Sequence, residues 1–90
     1  MKSFTYKLCK EGGIHARPAG AIALVARGFE SDVVVRLGGE GERAEADGKR
    51  LLSLMTLGAR EGDEVTFLIN GRDEESAADA LLRVCREALG

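Results

Sequence analysis

Apolar and polar side chains alternate from Phe4 to Cys9, with Phe4, Tyr6 and Leu8 on one side and Thr5, Lys7 and Cys9 on the other. A period of two predicts a strand with one face turned inward. Gly12-Gly13 ends that pattern and permits a sharp turn. From about Ala16 the spacing becomes helical and runs to Gly28, a stop residue after Arg27. Pro18, Ala19, Ile22, Ala23, Ala26 and Phe29 share the inward arc of this helix. Arg17, Gly20, Ala21, Leu24 and Arg27 share the opposite arc. Leu24 is therefore an apolar side chain on a face that should meet solvent, two turns below Arg17.

Alternation returns after Ser31-Asp32, with Val33, Val35 and Leu37 against Val34 and Arg36. Gly38-Gly39-Glu40-Gly41 reads as a hairpin connection. The stretch 42–47 reads as a weak return strand, poor in β-branched residues. Lys49 to about Leu57 is a short helix with Asp47 as candidate cap. At about 100° per residue, Leu54 and Leu57 share one arc, and Leu51, Leu52 and Met55 cluster away from it. Only one arc can face the core. The other is a second buried layer or a docking surface, and Met suits a surface that repacks against different partners. Gly58 and Gly62 bracket a turn through Ala59-Arg60-Glu61. Val65, Phe67 and Ile69 then alternate with Thr66 and Leu68 in a last strand. A final helix follows, capped by Asp73, acidic at Glu74 and Glu75, and apolar at Ala77, Leu81, Val84, Cys85 and Ala88. Arg83 and Arg86 favour its C-terminal end.

The order β-α-β-β-α-β-α predicts an α+β fold in which one antiparallel sheet carries its helices on one face. Pattern alone leaves a ferredoxin-like sandwich as an alternative. Ninety residues make a single domain, 1–90, with a modest core. The formal net charge of −2, with three Phe and one Tyr, argues against a nucleic-acid binder, which needs clustered bases and exposed aromatics. No apolar run approaches a membrane span of about 20 residues, and no secretory leader pattern opens the chain, so no membrane insertion and a cytoplasmic location are expected. Cys9 and Cys85 lack metal or redox spacing and are read as reduced structural thiols. With one His and two separated cysteines, no metal site is expected. There is no phosphate-cradling G-x-x-x-x-G-K-[ST] loop. Ser31, Ser53 and Ser76 lack a second His-based constellation to activate them.

The residues with reactive potential lie in Gly12-Gly13-Ile14-His15-Ala16-Arg17-Pro18-Ala19, which holds the chain's only His and only Pro. Pro is easily accommodated in the first turn of a helix. A helix starting near Ala16 sets the His15 imidazole beside free N–H groups and the positive end of the dipole, where phosphate is favoured. Arg17 adds a guanidinium suited to phosphate oxygens. His15 and Arg17 are the candidate reactive pair, with Ala16, Arg17 and Pro18 as the candidate phosphate cradle. A lone His at a helix start is also compatible with an idle surface residue.

Gly13-Ile14-His15-Ala16-Arg17-Pro18-Ala19 resembles the active-centre motif of HPr, the histidine-containing phosphocarrier family of the bacterial sugar phosphotransferase system. The likeness extends to the order of elements and to Leu51-Leu52-Ser53-Leu54-Met55-Thr56-Leu57-Gly58. It implies an open-faced β-sandwich with strand order 1-4-2-3 and three helices on one side. It also implies that His15 takes a phosphoryl group on Nδ1 from phosphorylated enzyme I and passes it to sugar-specific enzyme II A components. The protein would be a carrier component rather than a stand-alone catalyst, without cofactor and monomeric. Partner contacts would come from Gly20, Leu24, Arg27, Leu51, Leu52 and Met55. The chain departs from the family at Gly12, where many members have a small polar residue, and in a hairpin after residue 37 that looks a few residues longer than usual. It departs again at Arg50, which aligns with the regulatory serine of many Gram-positive members. A regulatory paralogue with the same His15 chemistry, and an interaction domain in which His15 is idle, are the alternatives.

Overall fold

The computed structural model describes residues 1–9, 12–38 and 44–90. Along these, the elements are β1 (Lys2–Lys7), α1 (Ala16–Arg27), β2 (Asp32–Leu37), β3 (Glu45–Asp47), α2 (Leu51–Met55), β4 (Glu64–Asn70) and α3 (Glu74–Ala88). The strands form one antiparallel sheet in the order β1-β4-β2-β3, and the helices lie on one side of it, as the resemblance implies. Most of the hairpin connection at Gly38-Gly39-Glu40-Gly41, and the first two residues of the return strand at 42–47, lie outside the described residues.

The register explains how alternation builds the core. Phe4, Phe67, Val35 and Ala46 stand opposite one another in a single inward row across all four strands. Phe67 and Val35 are fully buried, and the Phe4 and Phe67 rings stack at 4.8 Å between centroids. Cross-strand aromatic pairs of this kind stabilise a sheet beyond the area they bury. The next outward row is polar. Thr5 and Thr66 share a hydroxyl hydrogen bond of 3.0 Å, and Arg36 Nη2 pairs with Glu45 at 2.6 Å. On the covered side α1 buries Pro18, Ala19, Ile22, Ala23 and Ala26, so its small alanines let it approach closely. From α3 come Ala77, Leu81, Val84 and Cys85. Burial pushes the Cys85 thiol up to about 12, which keeps it protonated and inert in the core. Ala88, expected inward, is half-buried, and Leu89, just past the helix, is buried in its place.

Other details depart from the sequence expectations. Gly28 ends α1 with φ −76, a right-handed geometry that uses none of glycine's special freedom. The stop is a tightened last turn, in which Gly28 N–H donates to Val25 O at 3.1 Å. The second helix begins at Leu51 rather than Lys49 and has Arg50, not Asp47, at its N-cap. The Asp47 carboxylate instead accepts Lys49 N–H at 3.0 Å. Asp73 does precede α3, but its side chain makes no cap bond. It reaches across to the α1–β2 connection, accepting Glu30 N–H at 2.8 Å, Ser31 N–H at 2.9 Å and the Ser31 hydroxyl. A competing tertiary bond has won over a local cap.

The Ser31 hydroxyl, then the Glu30 N–H, hold the Asp73 carboxyl below its ordinary value of 3.8. A lowered folded-state value means stabilisation that is complete above the unfolded value and lost as pH falls through the folded one. Wild type should therefore be more stable than Asp73→Asn at neutral pH, and the gap in urea midpoint should close as the pH is taken below 3.8. A gap unchanged down to pH of about 2 would contradict the assignment.

Candidate functional site

His15 occupies the N-cap of α1 in extended backbone, φ −106 and ψ −169, and its side chain makes no capping bond. The imidazole is exposed. Its main-chain carbonyl accepts the first helical bond, from Ala19 N–H at 2.9 Å. Pro18 is the third helical residue, is buried and carries no N–H, so it shapes the turn without donating to a ligand. That leaves Ala16 N–H and Arg17 N–H, neither of which donates to an acceptor among the described residues. Two backbone donors at the positive end of a twelve-residue helix thus stand next to an imidazole that makes no hydrogen bond among the described residues. Arg17 is exposed beside them.

The ring's orientation is visible through its neighbour. A Cβ placed on Gly12 would lie 3.0 Å from Cδ2 and 3.4 Å from Nε2 of His15. The imidazole thus turns its Cδ2–Nε2 edge toward Gly12 and leaves Nδ1 on the far side. Gly12 has φ +92, where L side chains are strained, so glycine suits both the backbone and the ring.

The loop carrying His15 is braced from below by the turn between α2 and β4. Ile14 N–H donates to Ala59 O at 3.2 Å. A Cβ on Gly13 would fall 2.3 Å from that same oxygen and 2.7 Å from Arg60 Cα. Gly13 is the residue that lets the two main chains touch. No local pattern announces such a contact, since its halves are more than 40 residues apart; the only cue is the paired glycine.

The candidate partner residues separate as the helical arcs predict. Leu54 and Leu57 are buried, whereas Leu51 is 37%, Met55 41% and Leu52 74% exposed. Leu24 is 68% exposed on α1, which packs against α2. Apart from Met1, these four are the large apolar side chains exposed among the described residues. Arg27 is exposed and Gly20 half-buried. His15 is on open surface: a groove of about 490 Å³ along β2 and β3, lined in part by Asp32, Val34 and Lys49, includes none of its loop.

A family model described as the PTS HPr component phosphorylation site matches residues 2–87. The chain belongs to the HPr family. It is 38% identical over 89 residues to phosphocarrier protein HPr of Mycoplasma genitalium, covering 97% of this chain and 94% of that one. It is also 38% identical over 86 residues to a multiphosphoryl transfer protein of Xanthomonas campestris, covering 96% of this chain but only 9% of that much longer one. Among solved structures, a Mycoplasma histidine-containing phosphocarrier protein superposes with a TM-score of 0.87 at 25% identity, over 98% of this chain and 97% of that one. No helix among the described residues is long and apolar enough to cross a membrane.

The division of α2 of this HPr-family chain into core and surface arcs has a direct stability test. Leu54→Ala should cost about 2–5 kcal/mol as a core truncation. Met55→Glu should stay within about 0.5 kcal/mol by urea unfolding. A loss of several kcal/mol for Met55→Glu would place that arc in the core.

Proposed function

We propose that this chain carries phosphoryl groups on His15 within the phosphoenolpyruvate-dependent phosphotransferase system. The observation that carries the reading is the exposed His15 imidazole at the head of α1, beside the two donors Ala16 N–H and Arg17 N–H. In the acceptance step the Nδ1 lone pair of a neutral imidazole attacks phosphorus. The P–N bond on enzyme I breaks, its electron pair stays with the donor nitrogen, and the proton on His15 Nε2 is retained. The two N–H groups and Arg17 hold the developing charge on the phosphoryl oxygens. Transfer to a sugar-specific enzyme II A component reverses these roles. Neutral backbone donors and an exposed arginine are suited to a group that must be released. The chemistry needs no cofactor or metal, and its setting is the cytoplasm.

Leu24, Leu51, Leu52 and Met55 form the apolar part of the docking surface, with Gly20 allowing close approach and Arg27 at the rim. Arg50, exposed at the N-cap of α2, adds a permanent positive charge beside it. An acidic partner surface is favoured there, with attraction that weakens as salt rises. Met55→Glu should accordingly slow transfer from enzyme I while leaving the fold intact.

Incubation with phosphoenolpyruvate and enzyme I, followed by intact-mass measurement, tests the reading. Wild type should gain one acid-labile phosphoryl and His15→Ala none. Phosphorylation of His15→Ala would refute the site, and an unmodified wild type would favour the interaction-domain alternative.

Regulation gives a separate expectation. The serine kinase of Gram-positive HPr needs a hydroxyl where this chain has Arg50. Ser53 lies one turn on, and its Oγ is occupied as acceptor of Asp47 N–H at 2.9 Å. Offered to such a kinase with ATP, wild type should remain unlabelled and Arg50→Ser should be modified. Efficient labelling of wild type on this helix would contradict the expectation.

A further inference from the structure

The connection between α2 and β4 is fixed on several sides. Gly62 N–H donates to Leu8 O at 2.7 Å, and Leu8 N–H donates to Asp63 O at 2.8 Å. Within the turn, Arg60 N–H donates to Asp63 Oδ2 at 2.9 Å, and Asp63 N–H returns a bond to Arg60 O at 3.0 Å. Ala59 O holds Ile14 N–H on the third side. Arg60 is therefore a rigidly placed residue whose Cα lies 2.7 Å from where a Gly13 Cβ would stand. His15 is two residues further along that loop, at most about 7 Å of extended chain. The Arg60 side chain is exposed and makes no ion pair with a carboxylate among the described residues.

A phosphoryl on His15 presents three oxygens. Of the first-turn residues of α1, only Ala16 and Arg17 offer backbone donors, because Pro18 has none. We propose that Arg60, carried against the His15 loop by the α2–β4 turn, supplies a second guanidinium to the phosphoryl group on His15. The proposal deepens the carrier reading and rests on it. Arg17 approaches from the helix, and Arg60 from a separate element locked to the loop. The charged groups nearest Arg60 along the turn are Glu61 and Asp63. The Asp63 carboxylate is occupied by the Arg60 N–H, so it orients the turn.

The test uses the free 90-residue chain with His15 phosphorylated chemically by phosphoramidate, without enzyme I. The second ionisation of the phosphohistidine is followed by ³¹P NMR in wild type, Arg60→Ala and Arg60→Lys. A nearby cation favours the dianion, so its removal should raise the phosphoryl's proton affinity. At low salt, Arg60→Ala should bind that proton about threefold more tightly, the size expected of one exposed charge pair. Arg60→Lys should restore most of the difference, and high salt should shrink it. A purely structural role for Arg60 would produce neither the charge rescue nor the salt dependence. An Arg60→Ala titration that superimposes on wild type, or a lysine that rescues nothing, would overturn the proposal. Failure of enzyme I to load the wild type would instead refute the carrier reading, leaving these titrations unaffected.

Discussion

The contact between Gly13 and the Ala59–Arg60 main chain is the constraint around which the site is arranged. A side chain at position 13 would overlap the Ala59 carbonyl oxygen, so only glycine admits the Ile14 N–H to Ala59 O bond in its present geometry. Through that bond the loop that carries His15 is tied to the connection entering β4. The same connection is tied to the end of β1 through Leu8. The loop is thereby referenced to two adjacent strands of the sheet, while α1 fixes its other end. An imidazole held this way needs no cavity. It can be exposed for exchange between proteins and still be presented in one direction.

Presentation of the apolar surface depends on a different set of interactions. A helix as short as Leu51–Met55 has little stability alone, because nucleation consumes most of what so few hydrogen bonds provide. Leu54 anchors it in the core. The Ser53 hydroxyl accepts Asp47 N–H from β3, and Lys49 Nζ donates to Phe29 O at 2.8 Å beyond the end of α1. These bonds hold α2 against both α1 and the sheet, which allows Leu51, Leu52 and Met55 to remain outside. Exposed apolar area is therefore compatible with a stable domain here, since the anchoring is done by other residues.

Much of the fold was legible in the sequence because alternation at Phe4, Tyr6 and Leu8, and at Val65, Phe67 and Ile69, matches a half-buried strand directly. The two arcs of α2 were legible for the same reason, from angular spacing alone. The strand order came from family resemblance, since periodicity says nothing about which strands are neighbours. Asp73 holds the N-cap of α3 as its place in the sequence suggests, but Ser31 and Glu30, 42 and 43 residues away, take its carboxylate, and at α2 the N-cap is Arg50 rather than Asp47. His15, Arg17 and Ala16 stood out because they are consecutive. The contribution of Ala59 and Arg60 to the same loop was invisible, because only folding makes them neighbours.

In the proposed carrier, a phosphoryl on His15 sits at the head of α1, held by the Ala16 and Arg17 amides. Comparison of ¹⁵N–¹H spectra before and after phosphorylation of the labelled chain measures this directly. The Ala16 and Arg17 amide protons should move downfield more than any others, with the phosphorylated nitrogen identified as Nδ1. A phosphoryl on His15 that leaves those two amides unmoved, or that resides on Nε2, would contradict that placement.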